Sequence, residues 1–279
     1  GLVVNIISNY VLMKIFNMGV AGAAWGTNIG MFVYALLFII YCKRGKASFK
    51  TNVFSVKADR DIIKKIVSLG MPSLIMSIMG IIQGVIILRA LRAYGSEVDI
   101  TFYGAVFRIF NFSLTPIYGL MRALQPVAGI NYGAEKYERS IKSFKIFSFV
   151  SLIIMLPFWL LSMIDPNLVL GSMLPQVTFD SEYIFSFRIF MSIAPLLSVT
   201  MTAMTFWPSI KKAAPAMVIG LGRQLFLYIP LMIILPRIFG IQSIYIGSFA
   251  IDVLLSVIVI LMLSRNFKEL RELKTVRAT

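Results

Sequence analysis

A few polar side chains interrupt long apolar runs in this chain, and they are where its chemistry must be sought. Asp252 stands near the middle of the run from Tyr245 to Leu263 and is the one carboxylate so placed. An ionisable group inside an apolar span is costly and marks an ion or substrate path by default, with an Arg or Lys pair or an inter-helix hydrogen bond as the structural alternative. Amides at Asn5, Asn9, Gln83, Asn111 and Gln125 and the hydroxyl of Thr27 can hydrogen-bond or coordinate a cation, but an amide cannot take up and release a proton near neutral pH. Arg108 and Arg122 also fall inside an apolar run, each within two to three turns of an end where the long side chain can snorkel to water. If instead one of them pairs with a neighbouring helix, it would be a lock that opens during a conformational cycle.

Other chemistries lack their parts. The chain has no His and one Cys, Cys42, so it holds no His acid–base pair, no Cys2His2 metal site and no intrachain disulfide. No GxxxxGK[ST] run is present, so any pumping would draw on an ion gradient and not on ATP bound to this chain. No cofactor, metal or enzymatic activity is expected, since a membrane-embedded enzyme needs clustered Asp, Glu or His at one depth.

The elements that position these groups are membrane spans. Of 279 residues 58% are apolar and only 14% charged, far from the balance of a soluble domain. In hydrocarbon such runs must be helices, each of about 20 residues. Eight are expected, at about 1–16, 19–42, 69–91, 101–130, 143–164, 183–207, 213–236 and 240–264, making an all-α polytopic membrane protein. Most of the 27 Lys and Arg residues fall on one side of this arrangement, Arg223 counted among them. That side is therefore cytoplasmic, both ends of the chain face it, and the +15 charge serves topology and headgroup contact, not nucleic acid. The chain opens on Gly1, already inside an apolar run, so an amino-terminal part is expected to precede it.

Asn5 and Asn9 lie one helical turn apart and share a face, either for inter-helix hydrogen bonding or as part of a proton or cation site. The second span presents small residues, Ala21 to Ala24 and Gly26, that allow close backbone approach. Residues 59–70 read as an amphipathic helix on the inner membrane surface. Gln83 is either a neutral ligand or a packing residue. A shift of 221 residues brings Gly19 onto Gly240, Gly26 onto Gly247 and Arg44 onto Arg265, which suggests parallel repeats with a cavity between two equivalent lobes.

The most specific motif begins in the fourth span. There Gln125-Pro126 is followed by Val127-Ala128-Gly129, then Asn131-Tyr132-Gly133-Ala134 and a basic segment with Lys136, Arg139, Lys142 and Lys145, and the apolar helix is expected to end at Gly129. This stretch, with Gly70-Met71-Pro72-Ser73 opening the third span and Arg223-Gln224 before Pro230 in the seventh, resembles the multidrug and toxic compound extrusion (MATE) transporters of the MOP flippase superfamily. The resemblance implies a two-lobe helical bundle whose first four helices would lie before Gly1. Residues 1–48 would be the last two helices of the first lobe, 49–68 the cytoplasmic connection, 69–264 the six-helix second lobe and 265–279 a basic tail.

The resemblance also bears on coupling. Proton-coupled members carry an Asn, an Asp four residues later and a Thr on the next helix; Asn5 and Thr27 match, but Asn9 replaces the Asp. At the carboxylates of sodium-coupled members this chain has Gly80 and Leu197. The implied function is a monomeric secondary antiporter exporting organic, cationic compounds from the cell in exchange for H+ or Na+. A lipid-linked oligosaccharide flippase is the alternative, which several convergent cavity Arg residues would favour. The lipid bilayer is the other partner.

Overall fold

The computed structural model describes residues 1–45, 59–174 and 179–276, and among them every regular element is a helix. By packing, the chain divides into two units, Gly1–Val67 and Ser68–Thr279.

The first unit is a tight hairpin. Helix α1 (Leu2–Tyr10) runs into a π-helical turn (Val11–Ile15), and α2 (Gly19–Lys43) returns beside it. The reversal uses positive φ at Asn17 and Gly19. Three glycines one turn apart, Gly22, Gly26 and Gly30, form the buried face of α2. A Cβ on Gly26 would lie 2.1 Å from Asn9 Oδ1 and 2.8 Å from the Asn9 backbone nitrogen, and one on Gly30 would lie 2.7 Å from Asn5 Cβ. The two backbones therefore touch, as small residues permit where no hydrophobic force drives helices together in lipid. Cys42 is buried at the end of α2.

Helix α3 (Arg60–Tyr94) begins in this unit, where the Asp59 carboxylate accepts from the backbone N–H groups of Asp61 and Ile62. The sequence suggested a separate surface helix over 59–70, but no break intervenes. Its first turns are continuous with the span, the helix running through Gly70 and Pro72. The side chains at 70 and 72 lie outside the described residues.

The second unit packs the rest of α3 with α4 (Glu97–Gly133), α5 (Tyr137–Ile164), α6 (Pro166–Gly171), α7 (Ser181–Ser192), α8 (Ala194–Ser209), α9 (Ala213–Leu221), a second π-helical turn (Gly222–Tyr228), α10 (Ile229–Phe239) and α11 (Ser243–Val276). Six helical stretches of the described chain are long and apolar enough to cross a membrane: Gly19–Lys43, Leu74–Tyr94, Tyr137–Ile164, Ser181–Ser209, Ala213–Phe239 and Ser243–Glu272. With α4, at 37 residues, and the shorter Leu2–Ile15, they account for the eight expected spans. Pro195 divides the sixth span into α7 and α8, since a proline supplies no N–H for the preceding turn.

Two motifs act as fasteners here. Ser96 and Asp99 form a capping box at the start of α4, and Asp99 also accepts from the Tyr183 hydroxyl at 3.0 Å. At the opposite, basic end, α4 runs four residues past Gly129, and the chain turns at Ala134 and Glu135, the latter at φ +59°. A Cβ on Gly129 would stand 3.3 Å from the Ser209 carbonyl, and the Ser140 hydroxyl donates to the Ala128 carbonyl at 3.2 Å. The Gln-Pro…Asn-Tyr-Gly-Ala stretch thus clamps α4 to α5 and to the end of α8. Between the ends lies a core that includes Trp207, Phe206, Leu124 and Val259, all with no exposed surface.

Candidate functional site

The second π-helical turn carries the polar residues of the site. Its extra residue per turn widens the helix, and such turns recur where side chains must be re-aimed. Here Arg223, Gln224 and Tyr228 all point into the second unit. Arg223 Nε donates to Asp252 Oδ1 at 2.7 Å and its Nη2 donates to Oδ2 at 3.2 Å, a fork-to-fork pair between the seventh and eighth spans. Asp252 keeps only 8% of its side-chain surface, whereas Arg223 keeps 31%. The guanidinium also sits 5.1 Å over the Tyr228 ring, a cation–π contact.

Hydroxyls and amides continue the network on either side. Gln224 donates to the Met79 carbonyl at 3.1 Å and to the Gln83 side chain. Tyr228 and Ser248 share a hydrogen bond of 2.9 Å, and Thr200 and Ser256 one of 3.0 Å. Among the described residues none of these side chains has a fully buried polar atom left without a hydrogen bond.

A cavity of about 260 Å³ opens beside the ion pair. Its wall combines Arg223, Asp252, Gln224 and Thr200 with the flexible side chains of Met76, Met201 and Met204. Gly220 makes the room: a Cβ there would lie 2.6 Å from Met76 Cε. Thioethers repack around ligands of differing shape, which suits a site that accepts more than one organic compound. Among the described residues no group of three or more His, Cys, Asp or Glu side chains could hold a metal.

The family model MatE matches residues 69–234, more than half of the chain and all of the site except the Asp252 helix. The chain belongs to the MatE family. It is 33% identical over 132 residues to the multidrug export protein MepA of Staphylococcus aureus (strain NCTC 8325 / PS 47), covering 47% of this chain and 29% of the relative. Against MepA of Staphylococcus saprophyticus subsp. saprophyticus it is 33% identical over 134 residues, 48% of this chain and 30% of that one. These relatives are exporters by name, not enzymes. A MATE protein solved in the bent conformation superposes with a TM-score of 0.82 at 18% identity, over 98% of this chain and 61% of that one. A MOP superfamily transporter from Pyrococcus furiosus Vc1 (DSM3638) does so with a TM-score of 0.79 at 19% identity, over 96% and 61%. At such identities the match is one of fold. The matched regions span under a third of the MepA relatives, and the chain covers about three fifths of the solved neighbours.

Within this MatE chain the structure sorts the sequence candidates. It brings Gln83 and Asp252 into one network. Asn111, on α4, donates to the Phe107 carbonyl of its own helix at 2.8 Å, and Asn131 likewise to Val127. Arg108, Arg122, Gln125 and Pro126 lie on the exposed side of α4, and among the described residues neither Arg is in an ion pair. An inter-helix ion pair within the described spans is made by Arg223, which the charge count places on the cytoplasmic side. Gly133 and Ala134 end α4, and Arg139 is exposed on α5.

In the first unit Asn9 Nδ2 donates to Asn5 Oδ1 at 3.2 Å, while Thr27 is exposed and bonds the Ala23 carbonyl of its own helix. Asn9 Oδ1 is buried against Gly26 with no partner among the described residues.

Proposed function

We propose that the chain acts within a monomeric secondary antiporter of the cell membrane that exports organic, cationic compounds in exchange for H+ or Na+. The observation that carries the reading is the Arg223–Asp252 pair on the wall of a methionine-lined cavity. With the pair formed, the cavity wall is neutral and tolerates an apolar cation. A coupling cation that takes Arg223's place at Asp252 leaves the guanidinium unpaired, and its field then opposes a second positive charge in the same space. Cation and substrate thus exclude one another, as antiport requires.

In this scheme residues 1–48 close the first lobe, 49–68 connect, 69–264 form the second lobe, and 265–279 are a tail on the cytoplasmic side with both ends. A flippase would need several convergent cavity Arg residues to receive a pyrophosphate; among the described lining residues there is one, already paired. The test is accumulation of an ethidium-like cation in cells expressing the full-length protein, with the proton and sodium gradients collapsed separately. Loss of efflux with one gradient names the coupling ion; no efflux under any gradient removes the reading.

A further inference from the structure

The basic segment after α4 builds a feature apart from the Arg223–Asp252 cavity. A groove of about 320 Å³ lies between the first turns of α5 and the end of α11, lined by Glu138, Arg139, Ile141, Lys142, Lys145 and Arg271. Its far wall is fixed, because Arg271 Nε donates to Glu138 Oε1 at 3.1 Å. Arg139, Lys142 and Lys145 are all exposed, and among the described residues none of the three is in an ion pair. Three uncompensated cations facing one groove repel each other and together favour an anion there.

The helix face below the groove indicates which anion. Lys142, Ile146, Phe149 and Ile153 follow one another at i, i+4, i+7 and i+11, so they lie on one side of α5. The three apolar members are all exposed large hydrophobics. Eleven residues of helix span about 16 Å, close to half of the roughly 30 Å hydrocarbon core and hence to one leaflet. Cations at the top and an apolar stripe of one acyl-chain length beneath them match a phospholipid, not a soluble phosphate.

We propose that this groove binds the phosphate of an anionic phospholipid, with an acyl chain along Ile146, Phe149 and Ile153. The inference rests on the fold and stands whether or not the chain exports cations. Native mass spectrometry of the purified full-length protein in detergent, titrated with phosphatidylglycerol, phosphatidylcholine and glycerol 3-phosphate, tests it. Phosphatidylglycerol is expected to bind at least tenfold tighter than phosphatidylcholine, with no measurable competition from glycerol 3-phosphate. Each cation near an anionic lipid contributes roughly fivefold. Lys142→Gln therefore weakens phosphatidylglycerol by about that factor, and the triple variant Arg139→Gln/Lys142→Gln/Lys145→Gln abolishes the preference. Should the triple variant not fold, the single variant decides. Equal binding of the two lipids, effective competition by glycerol 3-phosphate, or an unchanged preference in Lys142→Gln overturns the proposal.

Discussion

The 221-residue shift lays the α1–α2 hairpin over the second π-helical turn, α10 and α11, yet the two stretches put their polar groups to different ends. In the first, glycines at 22, 26 and 30 draw two backbones together until an amide oxygen is sealed against a Cα. In the second, Gly247 stands where Gly26 does, but its neighbours are the tips of Leu235 and Met232, and the π-helical turn holds Arg223 out toward Asp252. The equivalent turn glycines, Gly19 and Gly240, both have positive φ with open space around them, which supports the duplication. The first stretch is a packing joint and the second a charged, cavity-lining site. Backbone distance is what separates them: contact leaves no volume for a ligand, and a gap filled by long side chains does.

The contrast can be broken most severely at Gly26. Gly26→Ala places a methyl 2.1 Å from Asn9 Oδ1 and 2.8 Å from backbone nitrogen, which cannot yield, so a loss of about 3 kcal/mol is expected as a large fall in the thermal midpoint of the detergent-solubilised protein. Asp252→Asn should cost about 2 kcal/mol, at the low side for an orphaned charge because Arg223 keeps some exposure. A double-mutant cycle with Arg223→Gln should recover more than half of that loss; additive losses would mean the two side chains do not interact. Gln83→Ala removes one hydrogen bond from Gln224 and should cost about 1 kcal/mol in the same assay. Gly247→Ala meets only flexible side-chain ends, so its effect should stay under about 1 kcal/mol. Equal losses at Gly26 and Gly247 would erase the distinction between the copies.

Much of this was legible in the chain itself. Apolar runs and basic flanks gave the spans, and the Gln-Pro…Asn-Tyr-Gly-Ala order gave the family, because both are local patterns. Asp252 was legible as a rare intramembrane carboxylate, but its partner was not. Arg223 lies ten residues past Ala213 and was counted with the basic side, although about 15 Å of helix puts it well inside the span. Asp252 lies thirteen residues before Arg265, about 20 Å from the same side, so matching depths could have paired them. No sequence signal marks the π-helical turn that aims Arg223, since one extra residue per turn over Gly222–Tyr228 leaves no trace in the order of polar and apolar residues. Thr27 was singled out by type and spacing, but the face that α2 buries against α1 is the one carrying Gly22, Gly26 and Gly30.

If transport works on the Arg223–Asp252 pair and not on the Asn5–Asn9 pair, ethidium efflux from cells expressing the full-length protein separates Asp252→Asn from Asn9→Ala at matched membrane abundance. Asp252→Asn is expected to lose export at least tenfold while Asn9→Ala retains most of it. Export at the unmodified rate in Asp252→Asn, or its loss in Asn9→Ala alone, would contradict that reading.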